Sequence, residues 1–280
     1  MTSLLRLKAL YQPRGRAREY SDWALNLYSG CCHGCRYCFG PAVTHKTREQ
    51  FSHPQPRVGI LAKLEHDLNA MAVYCASRMQ EPSPAAGLPK HVHLCFTCDP
   101  YQADEEDFEL TRGAIALLHD ADIGVQILTK SGELCERDFG HDARVHLGGH
   151  PHDSFGVTLT FADEVAARSW EPNADPPYAR MAALKQARKL GIRTWCSLEP
   201  VIDPEETLRI IDLTHDYVGF YRVGPLNYLP EITAGIDWRT FAERVVVRFQ
   251  EYDCRYELKQ ALRSLLPADS ASTSTFASSS

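Results

Sequence analysis

The residues best suited to chemistry in this chain lie within eight positions, Cys31-Cys32-His33-Gly34-Cys35-Arg36-Tyr37-Cys38. Cys31, Cys35 and Cys38 read Cys-x3-Cys-x2-Cys, with an aromatic residue directly before the third. Three thiolates this close on one loop can take three corners of a [4Fe–4S] cube, because cysteine thiolate is the usual cluster ligand. The fourth cysteine of the stretch, Cys32, falls outside this spacing and no other stands nearby, so one iron is left open to a ligand that is not protein. Three other readings compete. Cys32-x2-Cys35-x2-Cys38 also begins a bacterial ferredoxin run, which continues x3-Cys-Pro, but Ala42 stands at that fourth position. A structural zinc site needs two ligand pairs, and His33 and His45 do not make a clean second pair. A disulfide framework suits short secreted chains rather than one of 280 residues. The cluster reading is favoured over all three, and Cys32 is then the spare.

A loop of this kind must be held by rigid elements. Short apolar runs alternate with amphipathic stretches, the pattern of βα units and a parallel sheet. Residues 24–28 read as the first strand and feed directly into the cysteine loop. Further strands are expected at 91–97, 124–129, 155–160, 193–199 and 218–223. Helices are expected at 58–75, 107–119, 177–190 (stopped by Gly191), 203–214 and 238–249, with a proline-rich loop at 79–90. Six such units predict an α/β fold, a partial (β/α)6 TIM-like barrel. In such barrels the catalytic groups come from loops at the C-terminal ends of strands, which is where the polar motifs fall.

The core is expected over 23–262, with an N-terminal extension at 1–22 and a disordered Ser/Thr/Ala-rich tail at 263–280. That tail holds too little apolar surface to offset its ordering entropy. A hydrophobic fraction of 44% and a charged fraction of 24% are those of an ordinary globular protein. No run approaches the ~18 apolar residues that span a bilayer, and the basic N-terminus has no apolar stretch of signal-peptide type. Ten cysteines without such a signal point to a reducing compartment, the cytoplasm. A net charge of −6 makes no case for nucleic acid, and the small cluster of Arg14, Arg16 and Arg18 reads as a solvated segment before a phosphate contact.

Six motifs occur in order: YSGC at 28–31, HGCRYCF at 33–39, FTCDPYQ at 96–102, LTKSG at 128–132, EPNADP at 171–176 and SLEPVID at 197–203. Together they resemble the spore photoproduct lyase-like branch of the radical S-adenosylmethionine (SAM) superfamily. The resemblance implies that Cys31, Cys35 and Cys38 ligate a [4Fe–4S] cluster whose open iron chelates SAM. It implies reductive cleavage of SAM and removal of a hydrogen atom from a substrate, with a nucleic acid or nucleotide as the substrate that the likeness suggests. An external reductant such as flavodoxin or ferredoxin would supply the electron. The cofactor carries the difficult chemistry and the protein aims it.

The same resemblance assigns roles by position. Tyr37 would pack near the adenine. Thr97, Cys98 and Asp99 would lie where the SAM amino group is met, and Lys130 would meet its carboxylate. Thr158 and Thr160 would reach the ribose hydroxyls, although threonines are common in strands anyway. Arg180 is either a carboxylate clamp on SAM or a partner for Glu171. Glu199, a carboxylate inside an apolar strand, must be paired or shift its pKa, which favours a site role. One departure concerns the lyase's cysteine directly before the Thr-Ser-Asp of its second strand. Phe96 holds that place here, flanked by Cys95 and Cys98. Strand alternation turns Cys95 away and leaves Cys98 as a candidate hydrogen-atom donor, against the plainer role of a small hydrophobic filler. His141, His146, His150 and His152 match no metal-ligand spacing and read as a solvated loop. The alternative for the whole chain is a non-catalytic iron–sulfur or zinc-binding module for electron transfer or scaffolding.

Overall fold

A computed structural model describes residues 6–77, 89–140, 146–227 and 229–267. The chain divides into two compact units. The first comprises Met1–Cys32, Gly40–Thr129 and Arg137–Phe155; the second comprises His33–Phe39, Lys130–Glu136 and Gly156–Ser280.

Strands β1 (Ala24–Leu25), β2 (Tyr28–Ser29), β3 (Gln55–Pro56), β4 (His91–Leu94) and β5 (Gly124–Thr129) belong to the first unit. β1 pairs parallel with β4 and β4 with β5, in the registers Ala24↔His93 and His91↔Gly124. Val92 and Leu94 of β4 and Val125 and Ile127 of β5 are buried, as expected for parallel strands covered on both faces, and Leu128 is half-buried. The polar exceptions satisfy each other: buried His93 and Gln126 share a 3.0 Å hydrogen bond. Helices Ile60–Ala76 and Leu110–Asp120 approach closely at Gly113, where a Cβ would lie 2.6 Å from Leu61 Cδ1. The N-terminal segment is tied down by one buried carboxylate. Asp67 accepts the backbone N–H groups of Lys8, Ala9 and Leu10 at 2.7–3.0 Å.

β2 and β3 form a separate antiparallel ladder, Tyr28↔Pro56 and Ser29↔Gln55, which aims the chain into the cysteine loop. Gly30 makes that aim geometrically feasible. Its φ is +116°, and a Cβ there would sit 2.5 Å from the Phe51 carbonyl oxygen. The same carbonyl accepts the N–H of Cys31 at 2.8 Å.

β6 (Ser154–Thr158) begins in the first unit and ends in the second, where β7 (Arg193–Val201), β8 (Tyr221–Pro225) and β9 (Tyr256–Leu258) follow. The hydrogen-bonded neighbours run β1-β4-β5-β6-β7-β8-β9, a parallel seven-stranded sheet of the α/β class. Helices Pro177–Lys189, Pro204–Thr214 and Trp238–Glu251 alternate with these strands, giving the βα order of a partial TIM-like barrel. Asp203 and Asp237 cap the last two by accepting backbone N–H groups from their first turns.

Several expectations are corrected. The sheet has seven strands where six were expected, because three-residue β9 is too short to leave an alternating pattern. β4 stops at Leu94 rather than continuing to 97, since Cys95 takes a left-handed φ of +72°. The helix expected at 107–119 breaks at Glu109, φ +47°, into Glu105–Phe108 and Leu110–Asp120. Most of the loop at 79–90 and the tail from 268 lie outside the described residues, as do His141 and Asp142. The rest of the histidine segment is organised rather than loosely solvated. Buried Asp153 accepts the N–H groups of Gly148, His150 and Val125, and lies 3.0 Å from His119 Nε2.

Candidate active site

Within the second unit, the expected residues Tyr37, Lys130, Thr158, Thr160 and Arg180 come together around Glu171. The Tyr37 hydroxyl donates to Glu171 and stands 3.3 Å from Thr160 Oγ1, which also hydrogen-bonds Glu171. Arg180 Nη1 lies 2.6 Å from Glu171 Oε2, with both side chains 1% exposed. Its Nε donates to the Asp175 carbonyl at 2.7 Å and its Nη1 to the Thr158 carbonyl at 2.9 Å. Arg180 is thus paired with Glu171. Lys130 Nζ sits 5.6 Å from the centre of the Tyr37 ring, within cation–π range.

Local chain geometry explains this convergence. The cysteine loop is pinned to 170–173 by two backbone bonds, Arg36 N–H to Trp170 O at 2.8 Å and Asn173 N–H to His33 O at 3.2 Å. Asp175 accepts the Ser131 hydroxyl and the N–H groups of Gly132 and Glu133, fixing the turn just after Lys130. Gly132 is required there, since a Cβ would stand 2.6 Å from Ala179 backbone and side chain.

Charge follows burial. Burial pushes the Cys35 thiol up to about 12, with the Lys130 ammonium opposing. Burial also pushes the Tyr37 hydroxyl well up, and the Glu171 charge adds to it, so Tyr37 stays a donor. For Glu171, burial raises the carboxyl, but Arg180 and Lys130 outweigh it and the net shift is downward. The result is an ionised carboxylate locked between a guanidinium and a phenol.

Within the first unit, Cys31 is half-buried and its N–H bonds Phe51 O at 2.8 Å, while the Cys32 N–H bonds Gln102 Oε1 at 3.1 Å. Burial raises the Cys32 thiol, which meets the Ala103 N–H. At the end of β4 the Asn26 carboxamide accepts the N–H groups of Phe96 and Thr97 at 2.9 and 3.0 Å. This bends the chain, so the alternation expected through 97 stops short of Cys95. Instead Cys95, 5% exposed, hydrogen-bonds half-buried Cys98. Asp99 Oδ1 accepts the Tyr101 N–H at 2.9 Å and the Thr129 hydroxyl at 2.6 Å. Buried Glu105 accepts from the Tyr28 hydroxyl, the Thr111 N–H and Arg137, fixing the residue that leads into the cysteine loop.

Glu199 lies on β7, 4.0 Å from Lys259 Nζ. Gly224 on β8 leaves room for it, because a Cβ there would stand 2.3 Å from Glu199 Oε1.

The free thiols of Cys31, Cys35 and Cys38 are donors of the chemical kind that an iron–sulfur cluster takes. Among the described residues no three His, Cys, Asp or Glu side chains are grouped for a single metal ion. The thiolates of a cube each bind a different iron, so they need no such convergence. A second observation concerns the amide nitrogen of buried Gln102, beside the cysteine loop, which has no hydrogen-bond partner among the described residues. Native proteins rarely leave such a donor unpaired without a role for it.

No protein-family model matches the chain. It is 29% identical over 180 residues to an uncharacterized protein of Mycobacterium tuberculosis, a match covering 64% of this chain and 49% of that one. An uncharacterized protein of Acidianus two-tailed virus is 26% identical over 196 residues, covering 69% and 60%. The chain thus spans about half the length of the mycobacterial relative it matches. Among solved structures, a spore photoproduct lyase variant superposes with a TM-score of 0.63 at 13% identity, over 90% of this chain and 79% of that one. SuiB of Streptococcus suis, bound to S-adenosylmethionine, gives 0.60 at 12% identity, over 86% and 51%. The fold is that shared by spore photoproduct lyase and SuiB.

Several contacts escape the reading of single positions. Glu171 was legible only as a possible partner of Arg180, yet it is the hub that Tyr37, Thr160 and Arg180 share. Asn26, Gln102 and Asp175 are lone polar residues in sequence, and only their backbone partners reveal them as the clamps of the two motif loops.

Proposed function

We propose that the chain is a radical SAM enzyme. Cys31, Cys35 and Cys38 hold a [4Fe–4S] cluster in this reading, and SAM lies against Tyr37 and Lys130. When bound, such a cluster would supply one-electron reduction of SAM, and with it a carbon radical able to take a hydrogen atom from the substrate. The chain's own residues orient and exclude. The single observation that carries the reading is the locking of Tyr37, the aromatic residue inside the cysteine motif, by Thr160 and Glu171 with Lys130 over its ring. A structural loop alone has no need of a buried Glu171–Arg180 ion pair to orient one phenol.

Lys130 is assigned to the SAM carboxylate and Arg180 to holding Glu171. Thr97, Cys98 and Asp99 are assigned to the SAM amino group, and Thr158 and Thr160 to the ribose hydroxyls. Glu199, paired with Lys259, is assigned to the substrate side of β7. The substrate class we favour is a nucleotide or nucleic acid, supported by the ordered motifs and by the superposition on spore photoproduct lyase, a form of which holds a dinucleoside photoproduct. Flavodoxin or ferredoxin is the reductant proposed.

The test is SAM cleavage. Anaerobically reconstituted, reduced protein should form 5′-deoxyadenosine, slowly even without substrate, as measured by chromatography and mass spectrometry. Lys130→Ala should weaken SAM binding by on the order of tenfold, the loss of ~1.4 kcal/mol, with iron content unchanged. Unaltered SAM affinity in that variant removes Lys130 from the site. A non-catalytic iron–sulfur or zinc module would form no 5′-deoxyadenosine at all.

A further inference from the structure

Gln102 has a fully buried side chain, 0% exposed, in the loop after β4. Its Oε1 accepts the N–H of Cys32 at 3.1 Å. That bond fixes the amide's orientation, because the nitrogen end cannot accept a proton. Nε2 must therefore point the other way as a donor, and among the described residues it meets no acceptor. Leaving a buried donor unmet costs about 1–3 kcal/mol, and an apolar side chain of similar size would avoid that cost.

The surroundings narrow what the donor serves. Gln102 is bonded to the residue that follows Cys31, and the next backbone N–H, of Ala103, meets the Cys32 thiol. The thiol that the cysteine loop brings to this neighbourhood is that of Cys32, one residue after Cys31. We propose that Gln102 is a positioning and tuning residue: its Oε1 holds the cysteine loop and its Nε2 donates to a sulfur of the cluster or of its thiolate ligands. This rests on the cluster reading above. A hydrogen bond to such a sulfur stabilises the more electron-rich, reduced cluster, so the donor raises the reduction potential, and outer partners of this kind also govern retention of the metal.

Gln102→Glu tests the two ends separately, since it keeps an oxygen for the Cys32 N–H and replaces the donor with a second oxygen. Gln102→Met removes both ends. Full-length parent and variants are reconstituted anaerobically and compared by iron and sulfide content, by potentiometric titration of the cluster's EPR signal, and by the rate of iron release to a chelator. The expected result is a lower midpoint potential in both variants and iron release faster by on the order of tenfold. Variants that match the parent in potential and release rate overturn the proposal. A parent that takes up no iron overturns the cluster reading itself, and this inference with it.

Discussion

Replacing Cys31, Cys35 or Cys38 with alanine should leave anaerobically reconstituted protein without its iron–sulfur absorbance, while Cys32→Ala should keep most of it. The four thiols are close in sequence but differ in surroundings. The Cys32 main chain is fastened to Gln102, and its thiol is turned to the Ala103 N–H. Cys35 is buried, its thiol raised to about 12 by that burial, with Lys130 as the opposing charge. A ligand thiol must lose its proton, so metal binding works against that burial and is coupled to it. Cys38 is held one turn on by its N–H to the Cys35 carbonyl at 3.1 Å. Iron and sulfide analysis of the four variants decides the assignment. Equal loss in all four would remove the distinction drawn for Cys32.

The second large effect is on stability. Arg180→Met should destabilise the chain by about 3–5 kcal/mol, because it leaves the Glu171 carboxylate buried without its countercharge. Both side chains are 1% exposed, so water cannot replace the lost partner. Adding Glu171→Gln to Arg180→Met should recover much of the loss, since the uncompensated charge is then gone. Urea unfolding of the metal-free chains measures both. The pH dependence carries a sign. In the parent, Glu171 lies below its ordinary value of 4.5, burial being outweighed by Arg180 and Lys130. Its contribution is therefore full above about 4.5 and is lost as pH falls through the lower folded value. With Arg180 gone, burial dominates and the carboxyl moves upward, so acid should stabilise Arg180→Met relative to the parent. A variant that unfolds at the parent's urea midpoint, with the parent's acid profile, would show that the pair has no structural role.

What the sequence made legible follows from which forces act locally. β5 falls at 124–129 as expected, because a strand buried on both faces leaves a mostly apolar run between turns, interrupted here only at Gln126 before Thr129 ends it. The helix Pro177–Lys189 ends one residue from its expected limit because Pro177 starts it and Gly191, at φ +80°, stops it. The end of β4 was misjudged because Asn26, seventy positions away from Phe96, bends it through a side-chain amide. No periodicity carries that information. The same holds at the site. The cysteine spacing announces itself, and the EPNADP motif suggested that Glu171 and Arg180 belong together. That Glu171 would also take the Tyr37 hydroxyl depends on a contact across 134 positions. The strand expected to run on to 97 ends before Cys95, whose φ of +72° no pattern of residue types announces.

The central claim is that SAM binds the iron that the three cysteines leave open. EPR spectroscopy of the reduced, reconstituted protein, recorded before and after saturating SAM is added, addresses it most directly. The account predicts a [4Fe–4S]+ signal whose g-values shift on addition of SAM, because a new ligand enters one iron's shell. A signal that saturating SAM leaves unchanged would contradict it and return the chain to the class of electron carriers.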